Sequence, residues 1–170
     1  SNYFSGILLL GDNEHLSSYE YLKRLDGLEK DYPDYSSNYL HTLVNLGKFR
    51  EAFNYSKKLE KEGIDNFESN LVIGIFYHKN KDFDLAQKYF LRLKDTKSNF
   101  ILNDFISNSL INWNSFHNLD LNSAQNRIES IDQKFSNLKK IQSAFLHCFY
   151  KSEDTEILFE KLSSNNNLDF

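Results

Sequence analysis

Three stretches decide the fold: GKFREAFNYSKKLEK at 47–61, KDFDLAQKYFLRLKD at 81–95 and LDLNSAQNRIESIDQ at 119–133. Each carries an alanine in a chain that has only four, at positions 52, 86, 124 and 144. Ala52 and Ala86 are 34 residues apart, and Ala124 follows 38 further on. A large apolar residue stands three places before each of these three, Phe49, Phe83 and Leu121, and apolar residues follow at helical spacing. Self-similarity at a period of about 20–50 residues marks an architecture of stacked repeats.

Upstream of each stretch lies a second helical pattern: SSNYLHTLVNL at 36–46, ESNLVIGIFYHK at 68–79 and ISNSLINWNSFH at 106–117. The turns between the patterns are Leu46-Gly47-Lys48, Lys79-Asn80-Lys81-Asp82 and Asn118-Leu119-Asp120, with Asp82 and Asp120 placed to cap the helices they precede. Longer polar breaks, EGIDN at 62–66 and DTKSN at 95–99, separate one pair from the next. Apolar spacing of three to four dominates throughout, so the expected fold is all-α. A first pair is read at 2–11 and 17–30, ended by the helix-stopping Tyr32-Pro33-Asp34. A fifth is read at 137–150 and 154–163, before the polar tail at 163–167. The pairs are thus expected near 2–30, 35–61, 66–94, 103–133 and 137–163, as one repeat domain over 1–170.

These residues resemble the tetratricopeptide repeat family. Gly74, Tyr77, Phe83, Ala86 and Phe90 of the third pair fall in the roles of its motif. The second pair supplies Gly47, Phe49, Ala52 and Leu59, with Leu40 where a small residue is usual; the fourth keeps Ala124 and Ile128 but departs at Asn112 and by four extra residues. Gly6 and Pro33 match partly in the first. The resemblance implies a right-handed α-solenoid of about five helical hairpins. Its first helices would line an inner, concave surface that binds a peptide or a partner helix, as in bacterial repeat proteins of this kind. Within the first helices, Tyr39, Leu40, Leu43, Ile73, Gly74, Tyr77, Ile111 and Ser115 are the expected core positions. The inner face then reads Ser37, His41 and Asn45, next Leu71, Ile75, His78 and Lys79, and then Ser109, Trp113, Phe116 and His117. Trp113 is the expected anchor. Some members clamp a carboxylate terminus with Lys, Asn and Arg, and Lys79 with Asn45 alone replaces that set poorly.

Composition closes off other classes. The chain has 170 residues, a formal net charge of -4 and 15% aromatic residues, with a mean hydropathy of -0.58. That balance disfavours a dedicated nucleic-acid binder. The apolar run Ile7–Leu10 is far short of the roughly 18 residues a membrane span needs. One cysteine, Cys148, excludes an internal disulfide and suits the cytosol and the periplasm equally; it is expected as a buried small thiol. The histidines at 15, 41, 78, 117 and 147 lack metal-ligand spacing, and His147-Cys148 point about 100° apart on a helix, wrong for a base and its nucleophile. No Gly-rich phosphate loop is present, so no cofactor, metal or catalysis is expected. The start at Ser1 and the absence of methionine suggest a piece of a longer product. The leading expectation is a non-catalytic interaction scaffold. The alternatives are the substrate-recognition region of a larger enzyme, such as a glycosyltransferase, and an array whose face is filled by another copy.

Overall fold

A computed structural model describes residues 2–25, 27–96 and 102–164. Among them the fold is all-α, with ten α-helices and no strand. The chain divides into two compact units, Ser1–Ser98 and Asn99–Phe170, whose boundary falls in the polar break read at 95–99. Residues 97–99 of that break and 165–167 of the polar tail lie outside the described residues.

The first unit holds three helix pairs: α1 (Asn2–Gly11) with α2 (His15–Leu22), α3 (Pro33–Asn45) with α4 (Phe49–Lys61), and α5 (Phe67–Lys79) with α6 (Phe83–Asp95). Each second helix packs on its own first helix and also on the next one, α2 on α3 and α4 on α5. The first helices neighbour one another in the order α1, α3, α5. One core runs through the first two pairs, built on Tyr19, Leu22, Tyr35, Leu40, Leu43, Ala52, Tyr55 and Leu59.

The 34-residue period is also written in the turns. Asn13, Gly47 and Lys81, spaced 34 apart, all have left-handed backbone, with φ of 61°, 69° and 62°. Each closes its preceding helix by the same two bonds. The turn residue donates to the carbonyl three back: Asn13 to Leu10, Gly47 to Val44, Lys81 to His78. The next residue donates to the carbonyl five back: Glu14 to Leu9, Lys48 to Leu43, Asp82 to Tyr77. This is the Schellman closure, which satisfies carbonyls a helix end leaves unpaired. Gly47 takes the left-handed region without steric cost, whereas Asn13 and Lys81 hold it with a Cβ.

Close approach within each pair explains the small residues. Ala52 and Ala86 are fully buried, and so is Ser18, 34 residues before Ala52. Ser18 fills the alanine place, its Oγ donating to the Gly6 carbonyl at 2.8 Å, so that its hydroxyl is not left unpaired. A Cβ on Gly74 would lie 2.5 Å from the Phe90 ring, and one on Gly6 would lie 2.8 Å from Leu22. Those two contacts exclude any side chain at the crossing unless the opposing one moves.

Three expectations need correction here. Pro33 opens α3 instead of stopping a helix; at the first helical position its missing N–H is not needed. The second helix of the first pair ends at Leu22 and tightens into a 3-10 turn at Lys23–Leu25, well short of residue 30. Phe49, expected to close the end of its pair, is 60% exposed. Its counterpart Phe83 rests edge-on against His78 at 5.5 Å, and the residue in the place of His78 is the ringless Val44.

The second unit holds α7 (Asn103–Ser115) with α8 (Leu121–Glu129), then α9 (Ser136–Phe149) with α10 (Thr155–Ser164). Asp120 caps α8 by accepting from Ser123 N at 2.7 Å, as Asp82 caps α6 by accepting from Leu85 N at 3.3 Å. The α9 end repeats the closure of the first unit, with Lys151 at φ 53° donating to Cys148 and Ser152 donating to His147. The α7 end does not: the chain runs on into a 3-10 turn, Phe116–Asn118. The core here is Phe116, Ala124, Ile128 and Leu146, flanked by Trp113, Leu119, Leu121 and Tyr150. No helix among the described residues is long and apolar enough to cross a membrane.

Candidate functional site

The residues read as an inner face fall on both units, and each unit presents its own surface. In the first unit, Ser37 Oγ donates to Glu68 Oε2 at 2.9 Å and joins the faces of α3 and α5. One and two turns on from Ser37 stand His41 and Asn45; above Glu68 stand Leu71, Ile75 and Lys79. His41, Asn45, Ile75 and Lys79 are exposed, and Leu71 and His78 are half-buried. Two of them already have local partners. Asn45 donates to the His41 carbonyl of its own helix at 2.8 Å, and the His78 ring lies against Phe83 and Phe90. His41 meets His15 edge-on, ring centres 5.9 Å apart. Of the expected core positions, Tyr39, Leu40, Leu43, Ile73 and Gly74 are buried, and Tyr77 is half-buried because it lies between Phe53 and Tyr89 at the edge of the α4–α6 contact.

Carboxylates clip this unit together from behind. Glu51 accepts from the hydroxyls of Tyr19 and Tyr39 at 2.9 and 3.2 Å and pairs with Lys48. Burial, and then the Glu51 charge, push the Tyr39 hydroxyl well above its ordinary value. Glu29, nearly fully buried, accepts from Tyr55 and Lys58 at 3.1 Å each. Glu60 takes Tyr89, Arg92 at 2.7 Å and Lys57. Partial burial acts to raise Glu60, but the hydrogen bonds from Lys57, Arg92 and Tyr89 outweigh it and hold the carboxyl at about 2. These are joints between helices, fully partnered and turned to structure.

In the second unit Trp113 is half-buried, with Phe116 edge-on at 5.0 Å on one side and Phe149 at 6.2 Å on the other. Phe116 belongs to the core and is 1% exposed, so it is no inner-face residue. The reason is geometric: the 3-10 turn advances about 120° per residue instead of about 100°, swinging residue 116 inward. The Tyr150 hydroxyl holds that turn, lying 2.6 Å from the Phe116 carbonyl and 2.7 Å from that of Leu119. His117 is exposed; Ser109 is buried and accepts from Gln142 Nε2. Ile111 and Ser115, expected in the core, are half-buried, Ser115 because its Oγ is drawn to Arg127 at the rim.

What the sequence reading missed stands on α9. Phe145 and Phe149, four residues apart and so on one face, are 52% and 53% exposed, with exposed Cys148 between them. Phe145 meets Phe159 of α10 edge-on at 5.4 Å, and Phe149 meets Trp113 and Tyr150. The thiol expected in the core is therefore at the surface: Leu146 points inward, and two residues on is about 200° around the helix. The signal was available. Ala144 is fully buried in the first helix of its pair, seven residues before the left-handed Lys151, as Gly74 is before Lys81. On that register Phe145 and Phe149 occupy the places of Ile75 and Lys79.

Among the described residues no three His, Cys, Asp or Glu side chains gather to hold a metal ion. No family model, curated protein or solved structure matches this chain.

Proposed function

We propose that the chain is a non-catalytic scaffold that docks a peptide or a partner helix, on the tetratricopeptide-like plan, with α9 as the main contact. The observation that carries this reading is the exposed aromatic row Phe145 and Phe149 beside Trp113. Half-exposed rings on a rigid helix offer large apolar contact area at low entropic cost, the kind of surface on which binding energy concentrates. The face of α3 and α5, with His41, Ile75 and Lys79, is a second and more polar contact. Four-residue spacing of the rings suits an apolar helical or extended segment laid along α9.

The probe is a phage-displayed library of random dodecapeptides, with enriched sequences titrated against the fluorescence of Trp113, the sole tryptophan. Enriched peptides are expected to carry paired apolar residues and to bind roughly tenfold or more weakly to a Phe145→Ser, Phe149→Ser variant. An unenriched library, or equal binding to that variant, overturns the reading.

A further inference from the structure

The first unit brings together two histidines that lie far apart in the sequence, beyond the reach of any metal-ligand spacing. His15 opens α2 and His41 lies one turn before the end of α3; the packing of α2 on α3 sets their rings edge-on, centres 5.9 Å apart. The frame beneath them is fixed. One turn after His15, Tyr19 stacks on Tyr39 at 6.2 Å, and the hydroxyls of both tyrosines share Glu51. Neither imidazole takes part in a hydrogen bond among the described residues. His15 Nδ1 is also shut from water, a polar atom desolvated by folding and left without a partner. Neither α2 nor α3 contains Lys or Arg, so neither helix carries a cation of its own to repel one.

We propose that His15 and His41 form a two-imidazole site for a divalent transition-metal ion of the zinc, nickel and copper class. Each neutral ring gives a nitrogen lone pair and keeps its proton on the other nitrogen, and water fills the remaining positions. With metal–nitrogen bonds of about 2.0–2.1 Å and about 1.15 Å from nitrogen to ring centre, two imidazoles on a tetrahedral ion have centres about 5.2 Å apart. The observed 5.9 Å is only about 0.7 Å longer. The adjustment falls to His41, which is exposed and free to change rotamer, while His15 stays half-buried on the packed frame. The bound ion ties α2 to α3, the first helix pair to the second, and so stabilises the folded chain. The site lies wholly in the first unit and does not involve the aromatic row on α9.

Calorimetric titration of the 170-residue chain with nickel, zinc and magnesium chlorides, paired with thermal melts, tests this. One Ni²⁺ or Zn²⁺ is expected per chain, and no Mg²⁺, which prefers oxygen ligands. At ten times its dissociation constant the ion should raise the folding constant about elevenfold, read as a higher melting midpoint. His41→Gln changes an exposed position and His15→Gln a half-buried one, and each is expected to keep the helical circular dichroism of the parent. Either should weaken binding by roughly tenfold or more and abolish the rise in midpoint. If His15→Gln loses its helical signal, His41→Gln decides alone. A His147→Gln, Cys148→Ser variant, which lacks the adjacent imidazole and thiol of α9, is expected to bind as the parent does. A parent that binds neither Ni²⁺ nor Zn²⁺ overturns the proposal. So does equal binding by His41→Gln, which assigns the ion to an adventitious surface site, or loss of binding in the α9 variant.

Discussion

The turns of the first unit and the α7–α8 turn of the second solve the same problem in different ways. In the first, Asn13, Gly47 and Lys81 fall at identical intervals and close each hairpin with backbone bonds alone. In the second, the α7–α8 connection has extra residues and no left-handed position; the Phe116 carbonyl accepts from Leu119 N–H, and both it and the Leu119 carbonyl face the hydroxyl of Tyr150. A hydroxyl has one proton to give, so it serves those two acceptors in turn. Local geometry holds the first kind of turn, and a side chain 31 to 34 residues away holds the second. The lesson is that a repeat tolerates insertion where a tertiary hydrogen bond replaces the lost closure.

The largest test of the regular unit is Ala86→Leu. It forces three more carbons into a fully buried crossing, and the cost is expected at roughly 1–3 kcal/mol, read as a lowered midpoint in urea. An unchanged midpoint contradicts the close approach of α5 and α6. Next comes Tyr150→Phe in the irregular unit, which removes the hydroxyl shared by the Phe116 and Leu119 carbonyls and leaves Phe116 only its bond from Leu119 N–H; it should cost about 1–2 kcal/mol. Trp113 fluorescence reports it directly, since Trp113 packs on Phe116. If the variant melts like the parent, water replaces the hydroxyl at no loss and the comparison between the two turns fails.

Glu60→Gln sharpens the comparison through pH. The carboxyl sits at about 2 in the folded chain, below its ordinary 4.5. Its stabilisation is therefore complete above about pH 4.5 and is lost as the pH falls towards 2. The variant should be about 1–2 kcal/mol less stable at pH 7, the deficit vanishing near pH 2. A deficit that persists at low pH assigns the effect to packing. The smallest pair exchanges turn residues. Gly47→Ala places a Cβ in left-handed backbone and should cost about 1 kcal/mol, while Lys81→Gly relieves one and should gain a few tenths to about 1 kcal/mol. Opposite signs in paired melting curves are the expected result.

Much of the architecture was legible because alanine is scarce here and marks the helix crossings. Asp82 and Asp120 read as caps, and the helices α3 to α10 lie within a few residues of their expected bounds. What escaped did so for physical reasons. Ser18 does the work of alanine, but its hydroxyl hides it from a search for small apolar residues. Phe116 misled because a helical projection carried past Ser115 ignores the change to a tighter turn. The aromatic row on α9 was overlooked because the inner face was projected only through the second, third and fourth pairs; the left-handed Lys151 supplies the register that extends it to the fifth.

The backbone closure at the helix ends has a bearing on how the chain reaches this form. Each spans six residues and brings successive helices side by side without recruiting anything distant. Among the described residues, the main helix packings join elements one or two places apart along the chain. Loop-closing entropy is thus spent in small instalments, and the search for the native state is short-ranged, the condition under which small helical proteins collapse in microseconds to milliseconds. Nucleation can start at whichever hairpin happens to form first.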